Sequence, residues 1–134
     1  MIVKRKFYIN GRWVNPVLNN DLEIINPSNE IAYGVISIGG KEDVNLAVNA
    51  AKNAFFSWSQ KDKKNKIQLL ENLLNIYKNK WDEITKTMSD EMGAPLDWSS
   101  SAQTSSGADH INDFILRLKN FEFEKRFNKN SNNY

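Results

Sequence analysis

The chain has 134 residues, with eighteen Lys and Arg against sixteen Asp and Glu and a formal charge of +2; that is about one domain of sequence, too little for a complete dinucleotide-binding domain plus a separate substrate domain. Cysteine is absent and histidine occurs once, which excludes disulfides, thiolate metal sites and a cysteine nucleophile within these residues and leaves any imidazole chemistry to His110. The cations are mostly Lys, no apolar run approaches the roughly 18–20 residues that span a bilayer, and Met1-Ile2-Val3 reaches charge too soon for a signal peptide, so the expectation is a cytoplasmic domain that partners neither nucleic acid nor membrane.

The first forty residues read as β-structure. Phe7-Tyr8-Ile9 and Arg12-Trp13-Val14 flank Asn10-Gly11, the dipeptide that accepts positive φ at both centres of a type I′ hairpin turn. A second strand is expected around Leu22–Ile25, a turn at Asn26-Pro27-Ser28-Asn29-Glu30, and a third strand over Ile31–Ile38, ended by Gly39-Gly40. The period then changes from two to 3.6. Val44, Ala47, Val48, Ala51, Phe55 and Trp58 form one helical stripe. After a polar connection with Asp62 as N-cap, a second stripe runs through Ile67, Leu70, Leu73, Leu74, Tyr77, Trp81, Ile84 and Met88, with a break near Asn79. Gly93 suits a helix C-terminus and Pro95 prevents continuation. Asp97 is read as the cap of a third helix that is weak through Ser99–Ser101 and Gly107 and ends near Glu122. The predicted fold class is α/β: a β-hairpin with short strands, then about three amphipathic helices, over residues 1–124. The low-hydrophobicity tail 125–134 reads as disordered and resembles a loop cut before its next strand.

Little of this pattern carries chemistry. His110 lies beside Asp109 and Asp113 but lacks partners for a relay or a metal cage. Asp90 and Glu91 are adjacent on a helix and diverge by about 100°, whereas an acid–base pair must converge on one bond. Gly39-Gly40 lacks the third glycine of G-x-G-x-x-G and the Lys-Ser/Thr of a P-loop. The five serines between Ser99 and Ser106 contain no G-x-S-x-G elbow. Lys61, Lys63, Lys64 and Lys66 read as a solvated loop, and Trp58, Tyr77 and Trp81 lie on stripes at core spacing. No catalytic, cofactor-binding or metal-binding residue is predicted.

The order of motifs is more specific than any one of them. Phe7-Tyr8-Ile9-Asn10-Gly11-Arg12-Trp13-Val14, Ile25-Asn26-Pro27-Ser28-Asn29-Glu30, Glu42–Ala51, Ala54-Phe55-Phe56-Ser57-Trp58, Leu69–Leu74 and Glu91-Met92-Gly93-Ala94-Pro95-Leu96 follow one another collinearly over about residues 7–124. This succession resembles the N-terminal quarter of the NAD(P)-dependent aldehyde dehydrogenases. Gly-Ala-Pro stands where many members have Gly-Lys-Pro and, with Gln103, Gly107 and His110, resembles one branch of the family.

That resemblance implies the outer part of a cofactor domain in an oxidoreductase that converts an aldehyde to a carboxylic acid. Members use a cysteine nucleophile, a glutamate that activates water, an oxyanion-hole asparagine and a lysine on the cofactor ribose. All lie C-terminal to the matching region, so this chain alone is expected to be inactive and to bind neither NAD nor NADP. Some members hold a monovalent cation at the backbone position of Ile25 with a later carboxylate. Gln103 stands at that second position, so no metal site is expected. The implied partner is the remainder of the dehydrogenase polypeptide or a homo-oligomer. Without it, Val44, Phe55, Trp58, Ile67, Leu70 and Trp81 are expected to lie exposed together. The rival functions are a non-catalytic helical interaction module and, behind it, a weak anionic-surface binder using Lys61–Lys66 and Lys125–Lys129.

Overall fold

The computed structural model describes residues 1–124, and it opens on a strand not expected from the sequence. Ile2–Lys4 (β1) is only three residues long and runs straight into charge. It forms because β5, Ile31–Ser37, offers it a parallel edge, pairing Ile2 with Gly34 and Lys4 with Ile36. Such non-local pairing leaves no mark in a three-residue window.

Asn10 and Gly11 take φ of 52° and 75°, the two positive values a type I′ turn demands. They fold Phe7–Ile9 (β2) against Arg12–Val14 (β3), placing Tyr8 opposite Trp13 with ring centroids 5.3 Å apart. Asp21–Asn26 (β4) pairs antiparallel with β5, giving a three-stranded sheet in the order β1-β5-β4. Between them the Asn26 carbonyl accepts the Glu30 amide at 2.8 Å, and the Asn26 side chain accepts from the Ser28 amide at 2.9 Å. This Asx turn is the one expected at Asn26–Glu30. Arg5 ties the strand connections together, donating Nε and Nη2 to the two Asp21 carboxylate oxygens at 2.9 and 2.7 Å.

Lys41–Ser59 forms α1, Lys63–Asn79 α2 and Trp81–Met92 α3. The expected break near Asn79 is therefore present. Asp62 caps α2 by accepting the Asn65 amide at 2.7 Å, and Gly93 closes α3 at φ 72°, a left-handed value that costs glycine least. The third helical region departs from expectation in two ways. Leu96–Trp98 (α4) begins directly after Pro95, so Asp97 lies inside the first turn and caps nothing. Ser99–Thr104 then widens into a π-helical turn before Ser105–Asn120 (α5) resumes, ending two residues short of Glu122.

The core lies between α2 and α5, where Leu74, Ala108 and Ile115 are buried and Ile67, Leu70, Tyr77, Trp81 and Ile111 pack against them. Three of the residues expected to be exposed together, Ile67, Leu70 and Trp81, are thus half-buried, because α5 folds back onto them. The other three, Val44, Phe55 and Trp58, are exposed on α1. Trp58 accordingly belongs to no core, unlike Tyr77 and Trp81. The tail at 125–134 lies outside the described residues.

Candidate functional site

Of the polar side chains that are most deeply buried, the sequence pointed to Ser99 as part of a serine run and gave no sign of Thr104 or Thr85. Ser99 and Thr104 have no exposed surface and bracket the π-turn. Thr85 on α3 shares a 2.9 Å hydrogen bond with Thr104 Oγ1, which lies 3.9 Å from Met88 Sδ. Both hydroxyls are satisfied if Thr85 donates to Thr104 and Thr104 donates to the sulfur. Tyr77 donates its hydroxyl to the Thr104 carbonyl at 3.0 Å, and Trp81 donates its indole N–H to Ser100 Oγ at 2.9 Å.

Serine side chains contribute to the widened turn from within it. Ser101 donates to the Asp97 carbonyl at 2.7 Å and Ser105 to the Ser101 carbonyl at 2.6 Å. Serine hydroxyls that bond back to the preceding turn compete with the helical ladder. The Thr104 carbonyl also accepts the Tyr77 hydroxyl. These groups are joined by neutral hydroxyls, an indole and a backbone carbonyl, and they pack α2 and α3 against the π-turn. The signal in the sequence was the serine run followed by Gly107, whose missing side chain leaves room for Tyr77.

His110 is exposed, and the carboxylate one turn away, Asp113, is engaged by Arg117 Nε at 2.6 Å. Asp90 is engaged by Lys86 at 2.9 Å, while Glu91 stands on the rim of a cleft of about 380 Å³ between the sheet and α3, with Tyr33 and Thr87. Burial there, and then the charges of Glu91 and Asp90, hold the Tyr33 hydroxyl above its usual value, with Lys86 opposing. Of the four clustered lysines, Lys63 donates to the Lys119 and Phe121 carbonyls at 3.0 and 3.2 Å, closing the C-terminus of α5. Lys66 sits 5.8 Å from the Trp58 ring centre. Two of the four are therefore engaged by neighbouring groups at the surface.

The glycine pair at the start of α1 was the one place where a dinucleotide phosphate could be sought. Asp43 fills it. Its Oδ2 accepts the Gly40 amide and its Oδ1 the Val17 amide, each at 2.9 Å, and the side chain is buried. The carboxylate places a negative charge at the start of α1, where an anion would otherwise be favoured, and Asp62 caps the start of α2 likewise. Among the described residues no three His, Asp or Glu side chains are placed to share a metal ion, and Gln103, near the end of the π-turn, lies 3.3 Å from Ser99 Oγ.

Comparison with known proteins adds what the geometry lacks. Residues 13–134 match the model of the family described as "Aldehyde dehydrogenase family". A 3-succinoylsemialdehyde-pyridine dehydrogenase from Pseudomonas is 40% identical over 122 residues, covering 90% of this chain and 26% of that protein. A crystal structure of aldehyde dehydrogenase from Bartonella henselae superimposes with TM-score 0.93 at 42% identity, over 98% of this chain and 28% of that one. The aldehyde dehydrogenase AldC of Pseudomonas syringae, solved as a mutant with NAD+ and octanal, superimposes with TM-score 0.90 at 27% identity, over 92% of this chain and 25% of that one. The chain spans about a quarter of the length of the relatives it matches.

Proposed function

The chain belongs to the aldehyde dehydrogenase family, as an N-terminal piece of its fold, and we propose that its role there is framework rather than chemistry. It is the outer part of the cofactor domain of an NAD(P)-dependent enzyme that oxidises an aldehyde to a carboxylic acid in the cytoplasm. The nucleophile, the base and the dinucleotide contacts come from elsewhere in the fold. Taken alone, these residues hold no catalytic, cofactor-binding or metal-binding group, and the partner they require is the remainder of the dehydrogenase polypeptide, in a homo-oligomer.

The observation that carries this reading is the Asp43 carboxylate bound to the Gly40 and Val17 amides. The residues present do not fit a dinucleotide, and with no cysteine in the sequence they do not fit thioester chemistry either. Nicotinamide, where it is bound, accepts the hydride, and on this reading the groups that orient it lie elsewhere in the fold.

A direct test replaces the matching segment of the Bartonella henselae enzyme with this chain. The reading expects a soluble chimera that keeps aldehyde-dependent reduction of NAD+ or NADP+ within about tenfold of the parent, an allowance of roughly 1.4 kcal/mol in the barrier. A chimera that does not fold, or that folds without activity, would overturn it.

A further inference from the structure

The first turn of the chain carries a reactivity that a framework role does not use. Asn10-Gly11 is the one place in this sequence where glycine follows asparagine. Such a pair can close on itself, because the backbone nitrogen of the second residue can bond to the side-chain carbonyl carbon of the first and form a five-membered imide. Glycine admits the reaction: any other residue brings a Cβ that crowds the attacking nitrogen and holds φ negative. Asn15 and Asn26 precede proline, whose nitrogen has no proton to lose. Asn45, Asn49 and Asn53 lie inside α1, where the following amide donates to the helical ladder. The hairpin turn, by contrast, is open to water. Asn10 and Gly11 are exposed, and a Cβ placed on Gly11 would meet no atom within 4 Å.

The backbone of this turn is one rotation away from the ring. A type I′ turn holds ψ of its first centre near about +30°, which points the next nitrogen away from Cβ. Closure needs that nitrogen to eclipse Cβ, at a ψ of about −120°; with φ near about +60° this is the first centre of a type II′ turn. Asn10 already has the φ, at 52°. Types I′ and II′ differ by rotation of the peptide plane between their centres, and both suit a two-residue hairpin. The rotation carries Gly11 from φ 75° to about −80°, a change of sign that glycine makes at no steric cost. The pairs Ile9 with Arg12 and Tyr8 with Trp13 lie outside the rotating plane, so the strands stay together while the reactive geometry is visited.

We propose that Asn10 is a site of spontaneous deamidation in the folded chain, reached by a flip of the Asn10–Gly11 peptide with the β2–β3 hairpin closed. Hydroxide removes the Gly11 amide proton and the nitrogen bonds to Asn10 Cγ. The Cγ–Nδ2 bond breaks, and ammonia leaves with its third hydrogen taken from water, which returns the hydroxide. Water then opens the imide at either carbonyl and leaves aspartate or β-aspartate at position 10. Both products place a negative charge beside Arg12, and β-aspartate also lengthens the turn by one methylene.

The test holds the chain at mildly alkaline pH and follows the tryptic peptide Phe7–Arg12 by mass spectrometry, which reads the change from amide to acid. The expected result is conversion at Asn10 ahead of every other asparagine, about 10- to 100-fold more slowly than in a free peptide spanning Arg5–Val14, the weight of one sparsely populated backbone state. Asn10 that stays intact in the chain while the free peptide is consumed would overturn the site. A second measurement tests the route. Tyr8→Cys with Trp13→Cys joins directly opposed positions of the two strands through a disulfide, in a chain with no other cysteine, and locks the hairpin. The oxidised variant should convert at the rate of the unaltered chain. Arrest by the disulfide would show that the strands must part first, which overturns the closed-hairpin route.

Discussion

Replacing Gly107 with Ala should destabilise the chain, against the helix scale. In an exposed helix interior the change gains about 1 kcal/mol, because glycine alone gives up so much backbone freedom. Here the added Cβ would stand 2.7 Å from Tyr77 Cζ and 3.2 Å from Cε2, and closer still to the hydroxyl. The ring is wedged between α2 and α5 and cannot swing aside without leaving the Leu74, Ala108 and Ile115 core. Overpacking of this kind costs about 1–3 kcal/mol. Losing the 3.0 Å bond to the Thr104 carbonyl adds about 1 kcal/mol. The net expectation is a loss of about 1–3 kcal/mol, a fall in Tm of roughly 4–12 °C for a chain of this size, followed by circular dichroism at 222 nm. In a Tyr77→Leu background the clash is gone, and Gly107→Ala should be neutral or stabilising by up to about 1 kcal/mol. A raised Tm for Gly107→Ala in the unaltered chain would refute the reasoning, since propensity would then act with no ring in the way.

Asp43→Ala strips the acceptor from both the Gly40 and Val17 amides and should cost about 2–4 kcal/mol; a matching shift of the Val17 amide resonance separates this from loss of helix charge. Leu74→Ala, at a side chain 8% exposed in the core, should cost about 2–5 kcal/mol, whereas Leu73→Ala, one position along and 44% exposed, should cost under about 1 kcal/mol; equal effects would contradict the placement of the α2–α5 interface. Tyr33 should ionise above its usual pH, because burial and the Glu91 and Asp90 charges favour the neutral phenol. Its folded value is raised, so the stability it lends is fully present below about pH 10 and is lost as the pH rises through the folded value. Ultraviolet difference titration of the chain against Tyr33→Phe reads this directly, and Glu91→Gln should bring the midpoint part of the way back.

Much of this architecture is legible in the residues, for reasons that are local. Asn10-Gly11 dictates a turn because of the φ it tolerates, Asp62 caps because its side chain reaches the Asn65 amide, and Gly93 stops a helix because it takes φ 72°. What stayed hidden depends on partners distant in sequence. Ile2–Lys4 becomes a strand only when β5 lies beside it. The π-turn needs the serine hydroxyls, the Tyr77 hydroxyl and the gap at Gly107 at once. Asp43 reads as an ordinary first-turn acid, but its role is set by the Val17 amide 26 residues earlier. Periodicity located the stripe of α1 and the stripe of α2 equally well. It could not say that α5 covers one and leaves the other open, because that is decided by which chain lies opposite. Of the hydroxyl cluster around Thr104 the sequence showed only the serine run and Gly107, because Thr85 and Tyr77 reach it from other helices.

The central claim is that these residues are framework, with no dinucleotide site of their own. Calorimetric titration of the purified chain with NAD+ and with NADP+, up to about 1 mM, the upper end of common substrate affinities, tests it most directly. No saturable heat is expected with either. A saturable isotherm in the micromolar range for either dinucleotide would place a cofactor site within these residues and contradict it.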